Sequence, residues 1–337
     1  MKAVGYHKSL PIDAPDALVD AETSVPAPTG RDLRVAVKAV SVNPIDTKVR
    51  KRAAPPEGEV KILGFDAAGV VEAVGPDATL FKPGDEVFYA GSILRQGSNA
   101  ELQLVDERIV GHKPKSLSFA QAAALPLTSI TAWELLFDRL GALPGRSVDP
   151  RTLLIVGGAG GVGSMLIQLA RRLTGLTVVA TASRAQSQAW CRDLGAHAVI
   201  DHSQPLKPQI DALKGPPVGL IASLTATDQH YPALASIIAP QGKFGLIDDP
   251  AKLDIALLKG KAASLHWESM FTRSSFQTDD MIAQHRLLDD VADMIDKGVL
   301  RTTLEQTFGT INAANLKRAH AQIESGRTTG KIVLEGW

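Results

Sequence analysis

A run of glycines after a short apolar segment is the part of the sequence best suited to bind a phosphate group. Four bulky apolar residues, 153–156, lead directly into Gly158, Gly160 and Gly163, with the spacing G-x-G-x-x-G. We predict a tight turn at Gly158, close approach of the backbone to a pyrophosphate at Gly160, and close helix packing at Gly163. The following helix offers free N–H groups and the positive end of its dipole to the phosphates. The predicted binding loop comprises Gly158, Gly160, Gly161, Val162 and Gly163.

The residues around this loop favour a nucleotide site over an ordinary glycine turn. Apolar residues at helical spacing run from Val162 to Leu173, and residues 177–181 have the composition of a second strand. A β-α-β unit of about thirty residues is the setting in which this glycine pattern binds a dinucleotide. We therefore predict a dinucleotide site.

The end of the predicted second strand indicates which dinucleotide is bound. A domain selective for NAD has an acidic residue there, about twenty residues after the glycine loop, which binds the ribose 2′-hydroxyl. This chain has Ser183 and Arg184 instead, a hydroxyl and a guanidinium suited to a 2′-phosphate. We therefore predict NADPH. The alternative is that Ser183 caps a helix and Arg184 is solvated in its first turn.

Length and composition fit a globular protein of two domains. The 337 residues exceed one ordinary domain, and 45% of them are hydrophobic. Lys plus Arg and Asp plus Glu number 36 each, so nothing attracts nucleic acid or an acidic membrane surface. Without a signal-peptide core or a membrane-length apolar run, we expect a cytoplasmic protein. The one cysteine, Cys191, excludes an intrachain disulfide and multi-cysteine zinc sites, and we interpret it as an interior packing residue.

The periodicity of the sequence changes near residue 129. Residues 1–128 contain short segments, such as 33–40 and 68–74, separated by Pro and Gly turns. This pattern predicts a β-rich domain with the corners of a small barrel. Residues 129–271 alternate predicted strands and helices, which predicts a doubly wound parallel sheet.

The pattern changes again after residue 271. Helices are predicted at 281–297 and 312–325, before a terminal strand at 331–334, and these elements fit no further β-α-β unit. We therefore predict that residues 272–337 return to the first domain. The second domain, 129–271, is then an insertion, and the active site is the cleft between the two domains.

Several sequence segments together resemble the medium-chain dehydrogenase/reductase superfamily. They are 41–46 (SVNPID), 64–71 (GFDAAGVV), 82–87 (KPGDEV), 122–128 (AAALPLT), the glycine loop and 330–334 (GKIVL). Segments 239–243, 246–250 and 266–268 resemble its quinone oxidoreductase branch, and within it the zinc-type alcohol dehydrogenase-like proteins. The resemblance spans nearly the whole chain and implies an α/β fold. A GroES-like β-barrel catalytic domain (1–128 and 272–337) would accompany a Rossmann domain with a doubly wound parallel sheet (129–271).

The resemblance raises the question of a catalytic zinc ion. Zinc-dependent members hold the metal with a Cys shortly before an Asp, the His of a Gly-His-Glu segment, and a further ligand leading into the second domain. This chain has Asn43, Phe65 and Leu127 at those positions. None of them offers a thiolate or an imidazole, and one cysteine cannot form the four-cysteine structural site. We therefore predict that the protein binds no zinc.

Hydride transfer without a metal depends on positioning and on hydrogen-bond donors near the developing oxyanion. The resemblance implies transfer from NADPH to the β-carbon of an α,β-unsaturated ketone or aldehyde, or to a quinone. We predict that Asn43 faces the nicotinamide and substrate, the alternative being a turn residue before Pro44. Tyr89 is a candidate proton donor to the enolate, or a packing residue, and we interpret Asp46 as structural.

Two other functions compete with this one. A zinc-dependent alcohol dehydrogenase would contain metal, whereas a non-enzymatic NADPH-binding protein would bind the cofactor and reduce no enone.

The resemblance also implies cofactor contacts outside the glycine loop and an assembly. Thr128 and Thr131 are candidate contacts to the carboxamide or ribose, with helix capping as the alternative. We expect a homodimer joined at edge strands around 263–267, and substrate selectivity from the loops around Ile93, Leu94 and Phe271. The predicted additional cofactor-binding residues are Asn43, Thr128, Thr131, His202, Leu224, Thr225, Ile247, Asp248 and Lys331.

Overall fold

Both ends of the sequence contribute to one unit of the protein, and the middle forms another. In the computed structural model, which describes residues 1–145 and 147–337, the first unit comprises Met1–Ile130 and Phe271–Trp337. The second unit is Thr131–Met270.

The elements of the chain follow in sequence order. Up to residue 139 they are β1 (Lys2–Tyr6), β2 (Val19–Glu22), β3 (Asp32–Val42), α1 (Pro44–Arg52), β4 (Lys61–Ile62), β5 (Ala67–Val74), β6 (Glu86–Tyr89), β7 (Leu102–Asp106), a 3₁₀ turn (Glu107–Ile109), β8 (Val110–His112), α2 (Phe119–Ala123), α3 (Pro126–Trp133) and a π-helical segment (Glu134–Arg139). The middle of the chain contains β9 (Thr152–Val156), α4 (Gly161–Leu173), β10 (Thr177–Thr181), α5 (Ala185–Asp193), β11 (Ala198–Ile200), α6 (Leu206–Leu213), β12 (Val218–Ser223), α7 (Thr227–Ile237), β13 (Lys243–Leu246), α8 (Ala256–Lys259) and β14 (Ser264–Trp267). The last elements are α9 (Thr272–Phe276), α10 (Ala283–Asp296), β15 (Leu304–Thr307), α11 (Ala313–Glu324) and β16 (Lys331–Glu335).

The first unit is organised around the long strand β3. Its apolar residues alternate with half-exposed ones, so that Leu33, Val35 and Val37 point into the core. β3 lies between β16 and β5 in a sheet of order β15-β16-β3-β5-β6-β8, and it also pairs with β7. The pairings of β3 are all antiparallel. A smaller sheet, β2-β1-β4, completes the β-rich part of this unit.

The C-terminal elements correct one expectation from the sequence. β15, α11 and β16 do form a β-α-β unit, because β15 and β16 pair in parallel with α11 between them. The expectation that no such unit follows residue 271 is therefore wrong. β15 has the sequence Leu-Glu-Gln-Thr, and three of its four residues are exposed. It lies at the sheet edge and carries no apolar alternation, so periodicity did not predict a strand there.

The second unit is a six-stranded parallel sheet of order β11-β10-β9-β12-β13-β14, with helices between the strands. The central strand β9 is buried along its whole length, which fits its run of bulky apolar residues. Leu154, Ile221 and Phe244 belong to a core in which strands pack against α7. Because every pairing in this sheet is parallel, the carboxyl ends of all six strands lie along one edge. The glycine loop follows β9 at that edge.

Candidate active site

The glycine loop turns sharply as it leaves β9. Gly157 has a φ of +83°, a left-handed conformation that glycine adopts without strain. Its N–H donates to Thr181 Oγ1 at 3.1 Å, and the N–H of Gly158 donates to Thr181 O at 3.0 Å. The left-handed residue of the turn is therefore Gly157, whereas the sequence pattern assigned the turn to Gly158. Gly158 instead allows close packing, because a Cβ there would lie 2.7 Å from the Cβ of Ala180.

The other two glycines of the motif lie at the start of α4 and differ in the space around them. A Cβ on Gly163 would lie 2.5 Å from Gly157 O and 2.6 Å from Gly158 O, so only glycine lets α4 approach the loop this closely. Gly160 precedes α4 at its N-cap, and a Cβ there would meet nothing closer than Gly157 O at 3.6 Å. The space above Gly160 is open, at a helix N-terminus with unpaired N–H groups. This cradle fits a pyrophosphate.

Ser183 and Arg184 lie just beyond the carboxyl end of β10, and both are exposed. Arg184 is itself the N-cap residue of α5, and its side chain makes no capping bond. Over the described ranges, neither the Ser183 hydroxyl nor the Arg184 guanidinium has a partner. The alternative predicted from the sequence, in which Ser183 is the N-cap residue of the helix, therefore does not agree with the structure. Two unpaired donors beside the glycine loop fit an anionic ligand.

The remaining predicted cofactor residues of this unit lie along the same sheet edge. His202 follows β11, and Leu224 and Thr225 follow β12. The Thr225 side chain contacts Gly157, since a Cβ at Gly157 would lie 2.9 Å from Thr225 Cγ2. Asp248 follows β13 and accepts a hydrogen bond from the N–H of Thr227 at 2.9 Å, so it anchors the start of α7. Ile247 is half-buried beside it.

A buried polar network occupies the interior of the first unit. Lys331 Nζ donates to Asp66 Oδ2 at 2.9 Å, to Val42 O at 3.2 Å, and to Asn43 Oδ1. Asn43 Nδ2 donates to the same Asp66 oxygen at 2.8 Å. Asp66 Oδ1 accepts from the N–H of Leu127 at 2.7 Å. Asn43, Asp66 and Lys331 are each at most 3% exposed.

Asp46 completes this network. Its Oδ2 accepts from the N–H of Asn43 at 2.7 Å, and its Oδ1 accepts from the N–H of Gly64 at 3.0 Å. It therefore secures the start of α1, where Asn43 is the N-cap and Pro44 the first helical residue. Burial raises the pKa of Asp46 to about 7, against the lowering effects of the Asn43 N–H and the Lys331 charge. Burial also raises the pKa of Asp66, and the Lys331 charge opposes this shift.

These contacts change the roles expected for Asn43 and Lys331. The Lys331 ammonium has three N–H donors and three partners, which leaves none for a cofactor phosphate. The Asn43 amide holds Asp66 and Lys331 together rather than extending into open space. The geometry argues against direct contact of either side chain with a ligand and favours a structural role.

Tyr89, Thr128 and Thr131 are all buried. Tyr89 is 0% exposed, and within residues 1–145 and 147–337 its hydroxyl has no hydrogen-bond partner. Burial raises its pKa far above the usual range of a phenol. Both properties weigh against Tyr89 as a proton donor and favour packing. Thr128 and Thr131 lie inside α3 rather than at its cap, and Thr128 Oγ1 donates to Leu125 O at 3.1 Å.

The three positions examined for zinc do not fit the ion. The Asn43 oxygen accepts from an ammonium, Phe65 packs edge-on against Phe271 at 5.3 Å between ring centroids, and Leu127 is a buried alkyl chain. Zinc sites in proteins use thiolates, imidazoles and carboxylates. No group of three or more such residues able to hold a metal occurs in the part of the chain that the structure describes.

Sequence reasoning missed two buried carboxylate groups. Asp66 stands in the segment quoted for the resemblance, but its partner Lys331 is 265 residues away and no spacing links them. Glu268 follows β14, is buried in the second unit, and pairs with Arg139 Nε at 2.9 Å. A hydrogen bond joins it to Glu134, and burial, together with the Glu134 charge, raises its pKa to about 8. Glu134 is a charged residue inside a long apolar stretch of the sequence, and this was the signal that could have identified it.

Comparisons with known proteins agree with this architecture. A family model for the alcohol dehydrogenase GroES-like domain matches residues 29–130, and one for zinc-binding dehydrogenases matches residues 194–334. A zinc-type alcohol dehydrogenase-like protein of Staphylococcus aureus is 40% identical over 337 residues, covering 99% of each chain. The chain belongs to the medium-chain dehydrogenase/reductase superfamily.

Solved structures of this superfamily match along the whole chain. A candidate zinc-dependent alcohol dehydrogenase of Rhizobium etli is 58% identical with a TM-score of 0.96, covering 100% of this chain and 98% of that one. A quinone oxidoreductase of Pseudomonas syringae is 26% identical with a TM-score of 0.82, covering 99% of each chain. The predicted superfamily and fold class, a GroES-like domain with a Rossmann-type parallel sheet, are confirmed. Members of this medium-chain superfamily are NAD(P)-dependent oxidoreductases. No helix within 1–145 or 147–337 has the length and apolar character needed to cross a bilayer.

Proposed function

We propose that this protein is an NADPH-dependent reductase that works without a metal ion. Its substrate would be an α,β-unsaturated ketone or aldehyde, or a quinone. The cofactor assignment depends most on Ser183 and Arg184 at the end of β10, which are exposed beside the glycine loop and have no side-chain partner among the described residues. No carboxylate stands at that position to bind a 2′-hydroxyl.

The direction of the reaction follows from the side chains at the zinc-ligand positions. Oxidation of an alcohol needs a group that stabilises the alkoxide, a task that zinc performs in metal-dependent dehydrogenases. Asn43, Phe65 and Leu127 do not supply that group. Reduction of a conjugated acceptor would make smaller demands, because bound NADPH would supply the hydride to the β-carbon and solvent would supply the proton. The quinone oxidoreductase of Pseudomonas syringae supports this choice of acceptor by its name.

In this mechanism the second unit binds and orients the cofactor. The loop at Gly160 would receive the pyrophosphate at the N-terminus of α4. Ser183 and Arg184 would bind the 2′-phosphate, with the guanidinium as a charge-assisted donor. The network around Lys331 and Asp66 would keep the first unit rigid, since it ties α1 to β16 and α3.

A substrate screen tests the activity. We expect NADPH oxidation with quinones and alkenals, and none with NADP⁺ and simple alcohols, by protein that contains no stoichiometric zinc on elemental analysis. NADPH binding without turnover of any conjugated acceptor would favour a non-enzymatic role. One equivalent of tightly bound zinc, with alcohol oxidation, would favour the zinc-dependent alternative.

Substitution of Arg184 tests the cofactor assignment. A charge-assisted hydrogen bond contributes about 1.5–3 kcal/mol, so Arg184→Ala should weaken NADPH use about ten- to a hundredfold and leave NADH use unchanged. The matched control is Arg192→Ala, an exposed arginine in the last turn of the same helix, which should alter neither. An unchanged ratio of kcat/KM for NADPH and NADH in the Arg184 variant would refute the assignment.

A further inference from the structure

Two histidines stand next to the proposed 2′-phosphate site: His202, predicted from the sequence as a cofactor contact, and His230, which the sequence did not single out. His202 follows β11, and His230 lies on α7, which follows β12. In the strand order of the sheet, β10 and β9 lie between these two strands. Even so, the two rings meet, with centroids 6.0 Å apart. Both side chains are half-buried at the carboxyl edge of the sheet.

The His202 ring is held over the end of β10. Its Nδ1 lies 2.9 Å from Thr181 Oγ1, the hydroxyl that also accepts the N–H of Gly157. Ser183 and Arg184 begin two residues after Thr181. One hydrogen-bond chain thus connects the glycine loop, the last residue of β10 and the ring of His202.

This contact permits either protonation state of His202. A threonine hydroxyl has one O–H donor and two acceptor lone pairs. It can donate to a neutral imidazole, and it can also accept from a protonated ring while it still accepts from Gly157. His202 Nε2 and both ring nitrogens of His230 have no hydrogen-bond partner in the described parts of the chain. The histidines can therefore gain a proton without breaking a bond of the fold.

Burial and neighbouring charges act on both rings. Burial lowers the pKa of His202, the Asp201 carboxylate opposes this shift, and the Arg184 guanidinium adds to it. Burial and the neighbouring His202 lower the pKa of His230. The nearby carboxylates are engaged in the fold: Asp201 accepts from Ser203 N and Oγ, Asp248 from Thr227, and Asp228 from the N–H of Ala251. Without a ligand, both histidines are thus held towards the neutral form.

We propose that His202 and His230 complete the 2′-phosphate site and that this pair takes up a proton when the phosphate binds. The inference rests on the proposed NADPH specificity. A dianion beside the pair favours its charged form, and two rings at this separation share one added proton because like charges repel. The structure thereby couples cofactor choice to pH. NADPH is favoured over NADH more strongly as the solution becomes more acidic through the histidine range.

Calorimetric titration with oxidised cofactors tests this without turnover. NADP⁺ and NAD⁺ are each titrated at about pH 7 in two buffers that differ in ionisation enthalpy, and the difference in heat gives the protons bound. We expect net proton uptake with NADP⁺ and none with NAD⁺. The second pKa of the phosphate is about 6, so the phosphate alone would release protons, which is the opposite sign. From about pH 8 to about pH 6, NADP⁺ affinity should rise relative to NAD⁺, by at most about tenfold for each unit by which binding raises the histidine pKa.

Substitutions test whether the proton uptake comes from His202 and His230. His202→Gln/His230→Gln should abolish the proton uptake and flatten the pH dependence of NADP⁺ binding, and thermal unfolding shows whether the variant is folded. His266→Gln, on β14 at the far side of the sheet, should keep the uptake. Uptake that persists in the double variant, or zero uptake by the unsubstituted protein despite NADP⁺ preference, would overturn the histidine proposal alone. Equal binding of NADP⁺ and NAD⁺ at every pH would overturn the NADPH assignment itself.

Discussion

At the scale of single residues, Lys331 shows how a long-range ion pair organises the first unit. The side chains of Lys331 and Asp66 are 4% and 0% exposed, and Lys331 Nζ lies 2.9 Å from Asp66 Oδ2. Burying two charges costs several kcal/mol each, and their attraction offsets that cost only while both are present. The Asn43 amide and the Leu127 N–H satisfy the remaining acceptor positions of Asp66.

Removing the ammonium should therefore destabilise the first unit strongly. We expect Lys331→Met to lower the free energy of unfolding by about 3–5 kcal/mol, because it leaves the buried Asp66 carboxylate without a counter-charge. The measurement is urea denaturation of the whole chain. The double variant Lys331→Met/Asp66→Asn should recover part of this loss, since no buried charge then remains unpaired. A double variant as unstable as the sum of both single ones would contradict the argument.

At the scale of elements, the junction of β9, the glycine loop and α4 combines two requirements. Gly163 serves the fold, because any side chain there would collide with the loop backbone. The protein leaves open the space where the Cβ of Gly160 would lie, which is the position proposed for the pyrophosphate. Under that proposal, Gly163 is needed for folding and Gly160 for binding.

Two alanine substitutions should reveal this difference. Gly160→Ala should unfold at nearly the normal temperature, since its φ of −71° suits alanine, yet bind cofactor weakly because the methyl group occupies the pyrophosphate position. Gly163→Ala should lose both properties, with stability reduced by about 1–3 kcal/mol through overpacking. Thermal unfolding and cofactor titration measure the two effects. Equal loss of stability in both variants would contradict the separation.

Glu268, at the end of β14, forms a buried pair with Glu134. The pKa of Glu268 is about 8 in the folded protein and 4.5 for a free glutamate, so the folded state binds more protons between these two pH values. Stability is therefore fully present below the unfolded pKa and is lost as pH rises towards the folded pKa.

Glu268→Gln should make stability less dependent on pH. We expect the unsubstituted protein to lose on the order of 2 kcal/mol from about pH 5 to about pH 8, since each unit of pKa shift corresponds to about 1.4 kcal/mol. The variant should lose less and be the more stable form at the alkaline end. Glu305→Gln, at an exposed position of β15, is the matched control. Parallel stability curves for Glu268→Gln and the unsubstituted protein would show that Glu268 does not titrate in this range.

At the scale of the whole molecule, the sheet of the second unit ends in a strand with a free edge. β14 pairs only with β13 in the described chain, and Trp267 on it is 54% exposed. An unpaired edge with an exposed aromatic residue invites pairing with another sheet. We propose that two copies associate along β14, as the family resemblance implied.

Trp267→Lys should therefore shift the protein from dimer to monomer. A lysine on an edge strand opposes edge-to-edge pairing, and its charge is costly to bury. Sedimentation velocity gives the mass of the species. Phe276→Lys, which replaces a 78% exposed aromatic residue on α9 in the other unit, should leave the dimer intact. If the unsubstituted protein is itself a monomer, the proposed dimer is contradicted.

Features that depend on the order of neighbouring residues were predictable from the sequence. A strand such as β9, a loop such as 157–163 and the helix after it are encoded in consecutive residues, so apolar periodicity and glycine spacing predicted them. The family followed from short segments that are each contiguous. The position of Ser183 and Arg184 at a strand end was predictable for the same reason.

Contacts between residues far apart in the chain were not predictable from the sequence. Asp66 and Lys331, or His202 and His230, come together through strand order and register, and their spacing in the chain carries no trace of this. The tertiary structure also assigned β15, a polar edge strand stabilised by its pairing with β16 rather than by its own composition. Asn43 was predicted to face a ligand from its residue type, but its partners in the interior decide what its amide does. Hydrogen bonds and burial depend on which residues are neighbours in three dimensions. The spacing of residues along a single sequence does not show which ones these are.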